Sequence, residues 1–213
     1  MARIDDYRTA VELGKKELKD KNFHLLAKRC GTFFTKGRSR FMHLPFLNQE
    51  IKITWPKLEF SFLDSDKEVS LQQQVLLLHY LAGANGLPLA SRWIAYQEVP
   101  DGKFYLDAFL RRAKNPMVQT FGTKPDLLVK LARTLYKADD FDQGDYSVVL
   151  QALPSIPVVL ILWEGDDDFT PEGTILFDKN IQNILSAEDI AWLAGMVVYP
   201  LIGMSFQDEY KTV

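Results

Sequence analysis

The chain has 213 residues, of which 47% are hydrophobic and 12% aromatic, and it carries a formal net charge of −3. This length and apolar content can bury one large core. The single cysteine, Cys30, excludes an intramolecular disulfide and any multi-cysteine metal or iron–sulfur site built from this chain alone.

Charge is distributed unevenly along the chain. Residues 1–40 hold eleven basic and five acidic side chains, whereas residues 139–189 hold twelve acidic side chains and one basic side chain. Such asymmetry is typical of two solvated faces, and it can also steer charged partners. The N-terminus lacks the apolar core of a signal peptide, and no apolar run approaches the ~20 residues of a membrane helix. With one cysteine, these features predict a soluble, cytoplasmic protein without a membrane partner.

The first part of the chain predicts a basic helical segment followed by strands. Residues 1–30 have an interrupted helical periodicity, which predicts one helix or two shorter ones that end at Gly31. Residues 32–64 alternate β-branched and aromatic residues between turn residues. They predict a meander of three short strands, or of four if residues 32–35 are included. The basic segment 35–40 lacks stacking aromatic residues, so we expect a solvated turn and no nucleic-acid partner.

A strongly apolar helix comes next. Ser70 and Gln73 have the spacing of a capping box, and the helix that they open, LQQQVLLLHYLAGA, is apolar enough to be central to the core. His79 lies within this apolar run. We expect its imidazole to be buried and bonded to a backbone carbonyl or a carboxylate, and the alternative is a ligand-binding or proton-handling role.

The second half of the chain alternates helices and strands. Residues 87–100 are expected to be extended through Trp93 and Tyr96, and Pro200 is expected to end or kink the last helix. Helices are predicted at 104–112, from Asn115 and Pro116, from Pro125, and from Ser186. A loop is predicted over 139–145 and a strand over 146–150.

The run Ile156–Trp163 is the clearest strand in the sequence. It is continuously apolar, which predicts a central strand buried on both faces. A turn through residues 171–173 would return residues 174–177 as an antiparallel strand, and we expect Asp166 and Asp178 to lie close together at one end of the sheet. The elements together predict one α+β domain over residues 1–213, with a mostly antiparallel sheet and packed helices.

An acidic cluster follows this strand. Hard cations such as Mg²⁺ and Ca²⁺ prefer carboxylate oxygens. The candidate metal ligands are therefore Glu164, Asp166, Asp168 and Asp178. Their spacing does not match an EF-hand loop, and the alternative is a structural turn in which backbone amides hold the aspartates.

Familiar catalytic motifs are missing from the sequence. It contains no G-x-S-x-G elbow, no P-loop and no G-x-G-x-x-G segment, and Cys30 has no identifiable histidine and acid beside it. Nucleophilic catalysis and standard dinucleotide or nucleoside-triphosphate chemistry are therefore not predicted. The sequence assigns neither an enzymatic activity nor a cofactor.

Three segments carry a resemblance to a family. They are VLLLHYLAGANGLPLASRWIAYQEVPDGKFY, PSIPVVLILWEGDDDFTPEGTILFD and LSAEDI, which contain His79, Trp93, Glu98, Tyr105, Trp163, Asp166, Asp178 and Asp189. The chain from about residue 25 to about residue 200 resembles a family of uncharacterised domains from anaerobic bacteria and archaea, some of which lie beside iron–sulfur segments. The resemblance implies no established activity.

Two functional hypotheses follow. The first is a non-catalytic accessory protein of anaerobic metabolism, such as corrinoid-dependent one-carbon metabolism, that binds a protein partner carrying an iron–sulfur or corrinoid group. The alternative is a small-molecule or tetrapyrrole-binding protein, or an enzyme. In that case His79, Trp93, Tyr96 and Tyr105 would line an apolar pocket with the acidic turn at its mouth.

Overall fold

The computed structural model describes residues 4–34 and 40–211, apart from the side chains at positions 33 and 208–211. Within these residues the protein has two antiparallel sheets, seven α-helices and one hydrophobic core. The predicted α+β class is confirmed, but the meander and the central strand lie in two separate sheets, where the sequence predicted one. Most of the basic segment 35–40 lies outside the described residues, so the solvated turn expected there stays a prediction.

The first sheet is the predicted meander. Its strands, in the order β1-β2-β3-β4, are β1 (Phe33–Phe34), β2 (Arg40–Phe46), β3 (Gln49–Trp55) and β4 (Phe60–Phe62). Alternate residues of β2 and β3 are buried, as expected when one face of a sheet packs on the core. Leu47 and Asn48, which join β2 to β3, both have positive φ angles, of 50° and 61°. This backbone is typical of the two-residue turns that match the twist of a hairpin.

The second sheet contains the predicted central strand. Its order is β5-β9-β8-β7-β6, formed by β5 (Trp93–Ala95), β6 (Asp139–Asp140), β7 (Tyr146–Leu153), β8 (Ile156–Trp163) and β9 (Glu172–Asp178). Every residue of β8 except Trp163 is buried, so both faces of this strand are covered. The antiparallel return of β9 is confirmed as well. The segment predicted as a loop before β7 contains the short strand β6.

Seven helices complete the domain. They are α1 (Ile4–Leu18), α2 (Phe23–Arg29), α3 (Leu71–Gly83), α4 (Gly102–Phe109), α5 (Asn115–Phe121), α6 (Pro125–Tyr136) and α7 (Ala187–Lys211). The basic N-terminal segment thus forms two helices, and the predicted capping box at Ser70 is confirmed, with both of its hydrogen bonds present.

The predicted helix at residues 115–121 is confirmed, but the prediction that Asn115 is its N-cap was wrong. A π-helical segment, Leu110–Lys114, joins α4 directly to α5, and Asn115 has helical angles (φ −64°, ψ −45°) instead of the extended backbone of an N-cap. Single turns of π-helix inside α-helices are frequent at functional sites. This one positions Arg112, which is described below.

Helix α7 runs through the core and continues past Pro200 to Lys211, so the proline does not end it. Pro200 is exposed, while Val197, Val198 and Leu201 on the opposite side are fully buried, and their packing offsets the hydrogen bond that proline removes. Among the described residues, the stretch 187–207 is long and apolar enough to cross a membrane by length and composition. However, 56% of its most apolar window is buried inside the protein, as in the core helix of a globular domain.

Candidate functional site

A groove of about 1000 Å³ opens along α7. Its walls come from the β2–β3 turn, the first turn of α3, the end of α6 and the exposed side of α7. Apolar side chains form most of its surface, including Leu47, Leu135, Trp192, Met196, Tyr199 and Met204. This size and character are typical of pockets that enclose an organic ligand.

Arg112 is the one charged residue among the described walls of the groove. The π-helical segment places its guanidinium over the ring of Trp192, 4.6 Å from the ring centroid. No carboxylate of the described residues lies within ion-pair distance of it, whereas the neighbouring Arg111 pairs with Asp107 at 2.8 Å. A guanidinium stacked on an indole keeps its N–H donors free at the edge of the plane.

Gly195 explains how the helices approach each other closely enough for this stacking. A Cβ at position 195 would lie 3.2 Å from the carbonyl oxygen of Arg112. That separation is tighter than ordinary van der Waals contact, so a side chain there would push the π-helical segment away from α7. The absence of a side chain at Gly195 therefore favours the close approach of the π-helical segment to α7, from which Arg112 contacts Trp192.

Uncharged polar groups form the rest of the rim. Ser70 and Gln73 are held by the capping box, and the Asn48 amide donates a hydrogen bond of 2.9 Å to the carbonyl of Leu135. The Asn48 bond fixes the β2–β3 turn against α6, and the capping box fixes the first turn of α3. The groove is therefore bounded by regular elements that are already locked in place, as preformed sites are.

A second cavity, of about 240 Å³, lies beside the groove between α1, α3 and α7. His79 and Asp189 meet there, with 2.8 Å between Nδ1 and Oδ1. The other carboxylate oxygen, Oδ2, accepts a bond of 2.7 Å from the Ser186 hydroxyl, within the first turn of α7, where the helix dipole favours an anion. The carboxylate predicted as a partner for His79 is thus present.

The predicted burial of His79 was wrong, because its side chain is 46% exposed. Helix α3 is apolar at most of its positions, yet His79 faces the seam with α7 while Leu78 and Tyr80 on either side are buried. Since Nδ1 is occupied by Asp189, Nε2 is the ring atom left to contact the cavity or solvent.

The hydrogen bond that His79 donates to the Asp189 carboxylate raises the pKa of His79, against a smaller effect of desolvation that lowers it. The His79–Asp189 pair therefore stabilises the fold fully below the unfolded-state pKa of His79, about 6.5. This stabilisation is lost as pH rises through the folded-state pKa.

We expect His79→Gln to lower the free energy of unfolding more at about pH 5.5 than at about pH 9. Urea unfolding at the two pH values measures this. In an Asp189→Asn background the pH dependence should become smaller, because the Asp189 interaction is the largest of those that raise the pKa. An equal cost of His79→Gln at both pH values in the wild-type background would contradict the assignment.

The four residues predicted to line one pocket lie in different surroundings. His79 lines the small cavity. Tyr96 is buried, stacks on Phe109 at 4.2 Å, and donates from its hydroxyl to the carbonyl of Ala187 at 2.7 Å. Burial raises the pKa of Tyr96 to about 12, so its hydroxyl stays protonated.

Trp93 and Tyr105, the other two residues predicted to line the pocket, line neither the small cavity nor the groove. Trp93 packs against Phe141 at the edge of the second sheet, and Tyr105 is on the exposed side of α4. The aromatic pocket expected from sequence is therefore replaced by the groove along α7, whose aromatic residues are Tyr136, Trp192 and Tyr199.

The acidic cluster forms a turn. Asp166 accepts hydrogen bonds from the backbone N–H groups of Asp168 (2.9 Å) and Phe169 (2.8 Å), which is the structural alternative described above. With Glu164 and Asp168 it lines a shallow depression of about 550 Å³. Among the described residues there is no group of three or more histidine, cysteine, aspartate or glutamate side chains that could hold a metal ion.

The expected proximity of Asp166 and Asp178 was wrong. In the antiparallel pair β8–β9, Trp163 faces Glu172 and Val158 faces Phe177, so Asp178 lies beside the start of β8 and Asp166 follows its end. Six residues of strand separate the two positions, which is about 20 Å. Asp178 is 2% exposed and accepts backbone hydrogen bonds from Ala90, Ser91 and Asn180, so it has a structural role and cannot share a cation with Asp166.

One comparison with known proteins supports the membership of an uncharacterised family that the sequence indicated. A family model described as a domain of unknown function (DUF3786) matches residues 22–199. Searches of the curated proteins and of the solved structures gave no match. The matched range runs from α2 to the first half of α7 and includes every wall residue of the groove except Pro200 and Met204. The chain therefore belongs to the family defined by this domain of unknown function, DUF3786.

Proposed function

We propose that this protein binds a flat, largely apolar organic anion in the groove along α7. The observation that carries the proposal is the guanidinium of Arg112, which is stacked on Trp192 in the groove wall and has no carboxylate partner among the described residues. A bound anion would supply a charge-assisted hydrogen-bond partner for this guanidinium.

The shape of the ligand follows from the other walls. Trp192, Met196, Tyr199 and Met204 form a continuous apolar strip along α7, which favours a planar or elongated apolar body over a sugar or a nucleotide. The uncharged rim of Asn48, Ser70 and Gln73 can accept or donate single hydrogen bonds at the edge of such a body. A tetrapyrrole carrying carboxylates is one member of this ligand class.

A matched pair of dyes tests the proposal. 1-Anilinonaphthalene-8-sulfonate and N-phenyl-1-naphthylamine share one ring system, and only the first carries a charge. We expect Arg112→Gln to weaken binding of the sulfonate about tenfold, because a charge-assisted hydrogen bond is lost. The affinity for the neutral dye should change less than about twofold, since the apolar walls remain. Fluorescence titration of the folded variants measures both affinities.

Arg111→Gln is the control for this experiment. It removes the same charge from the adjacent position, but Arg111 is exposed and paired with Asp107. We expect it to leave the affinity for both dyes unchanged. Equal losses of affinity for the sulfonate dye in the two variants would show that its binding depends only on the net charge of the protein. That result, or the absence of saturable dye binding to the wild-type protein, would contradict the proposal.

The second candidate function is an accessory protein of anaerobic metabolism that acts in the cytoplasm and binds a partner with an iron–sulfur or corrinoid group. Two exposed aromatic side chains support it, since Phe104 is 85% exposed and Phe169 is 72% exposed. Exposed aromatic residues of this kind are common at sites of protein association. Phe104 lies on α4 and Phe169 lies in the acidic turn.

An affinity pull-down from native extract at low and at physiological salt tests this candidate. The expected result is a bound protein with the absorption of an iron–sulfur or corrinoid group, which is lost when Phe104 and Phe169 are replaced by serine. Recovery of no such protein above background, or equal recovery with the double variant, would rule it out.

A further inference from the structure

The small cavity beside the groove has a different chemical character from the groove itself. Its charged walls are Asp6, Glu188, Asp189 and the ionisable His79, and its described walls contain no lysine or arginine. Arg112 lines the groove but not this cavity, although Trp192 lines both. The local field therefore favours positive charge here and negative charge in the groove.

Two aromatic rings form a corner of this cavity. Tyr7 on α1 and Trp192 on α7 are nearly perpendicular, with 86° between their planes and 6.1 Å between their centroids. Aromatic walls at an angle to each other, with carboxylates nearby, are the surroundings that proteins use to bind methylated ammonium groups. The methyl groups contact the rings, and the ring quadrupoles and carboxylates compensate the charge.

We infer that the cavity between α1, α3 and α7 binds a small organic cation of the methylated ammonium class, with Tyr7 and Trp192 against the methyl groups and Glu188 supplying the opposite charge. Its volume of about 240 Å³ accommodates a group of this size. The inference does not depend on the function proposed for the groove, since Tyr7 and Glu188 are not among the groove walls.

His79 makes this site sensitive to pH. The charged groups that face the imidazole are Glu17 on α1 and Glu188 and Asp189 on α7, with Asp6 of α1 in the same cavity wall, and α3 itself carries no other charged residue. A proton on His79 places a positive charge in the wall of the cavity that the cation would occupy. Cation binding and protonation of His79 therefore oppose each other, and by linkage each weakens the other by the same factor.

Choline and its neutral isostere 3,3-dimethyl-1-butanol are the probes, because they have the same shape and differ in charge. We expect choline to bind saturably at about pH 9 and about fivefold more weakly at about pH 6, as two like charges in one small cavity near the surface repel each other. The isostere should bind at least about tenfold more weakly than choline at the higher pH. Isothermal titration calorimetry on the full chain measures these affinities.

Proton NMR of the histidine resonances measures the pKa of His79 independently of the binding titrations. Saturating choline should lower the pKa of His79 by about 0.7, the logarithm of a fivefold effect. The signals of His24 and His43, which do not line the cavity, serve as internal controls. His79→Gln assigns the resonance and should also remove the pH dependence of choline binding.

Two variants test whether choline binds in this cavity. Glu188→Gln keeps the size of an exposed side chain and removes its charge, and Tyr7→Leu removes one ring. Each should weaken choline about threefold or more without changing sulfonate-dye binding in the groove. Equal affinity for choline and the neutral isostere, no choline binding at about pH 9, or unchanged binding in both variants would overturn the inference. Failure of the dye experiment alone would leave it standing.

Discussion

Replacing Gly83 by alanine is expected to lower the free energy of unfolding by about 3 kcal/mol or more. Gly83 is the last residue of α3, and a Cβ there would lie 2.0 Å from the carbonyl oxygen of Ile184 and 2.9 Å from its carbonyl carbon. Both contacts are with backbone, so the clash cannot be relieved by rotating a side chain. The segment between β9 and α7 would have to move away from α3. For a chain of this length, the loss corresponds to a fall of about 6–12 °C in melting temperature.

Gly203→Ala is the matched control. Gly203 lies within α7, and a Cβ there would meet no atom within 4 Å. The substitution should therefore stabilise the protein by about 0.5–1 kcal/mol, because alanine loses less conformational entropy than glycine in a helix. Chemical denaturation of the two variants measures the difference. A Gly83→Ala protein as stable as the wild type would contradict the close approach of α3 to Ile184.

Asp178→Ala is expected to cost about 3–5 kcal/mol of unfolding free energy. The carboxylate is 2% exposed and accepts three backbone N–H groups, from Ala90, Ser91 and Asn180, each at 2.9 Å. It thereby ties the loop before β5 to the end of β9. Without it, the buried donor of Asn180 and the part-buried donors of Ala90 and Ser91 lose their acceptor, and the desolvation cost of those groups is no longer offset.

Asp166→Ala is the comparison for Asp178. It also removes a carboxylate that accepts backbone hydrogen bonds, but the acidic turn is exposed, so water can replace the lost acceptor. We expect a cost of about 1 kcal/mol or less. Thermal unfolding with and without the substitutions measures both effects. If Asp178→Ala were as mild as Asp166→Ala, Asp178 would not be the structural link between the loop and the sheet.

Much of the fold follows from local patterns in the sequence. The continuous apolar run of β8, the capping box of α3 and the alternation in β2 and β3 each depend on neighbouring residues, and each was confirmed. The register of β8 with β9 could also have been obtained from sequence. A tight antiparallel turn places the end of the returning strand beside the start of the first, so Asp166 and Asp178 must lie at opposite ends.

The groove could not be predicted in the same way. Arg112 belongs to a helix with several basic residues, and its special position depends on a π-helical segment that no local motif indicates. Trp192 has the periodicity of a core residue, and only the packing of α7 leaves its ring in the wall of the groove. The two residues are brought together by the close approach at Gly195, which is about 80 residues from Arg112 in the chain, so the signal is a tertiary one.

The two cavities share the same part of α7. Asp189, Trp192, Met196 and Tyr199 follow one another at intervals of three and four residues, which places them along one face of the helix. Asp189 contacts His79 in the small cavity, and Trp192 lines both the small cavity and the groove. Met196 and Tyr199 line the groove only. An organic anion and an organic cation could therefore occupy neighbouring sites on the same helix, with the ring of Trp192 between them.

The central claim is that the groove binds an organic anion through Arg112. A crystal structure of the protein with bound 1-anilinonaphthalene-8-sulfonate tests it most directly. We predict that the sulfonate lies within hydrogen-bond distance of the Arg112 guanidinium and that the naphthalene ring contacts Trp192 and Met196. A dye bound elsewhere on the protein, or bound in the groove with its sulfonate directed away from Arg112, would contradict the claim.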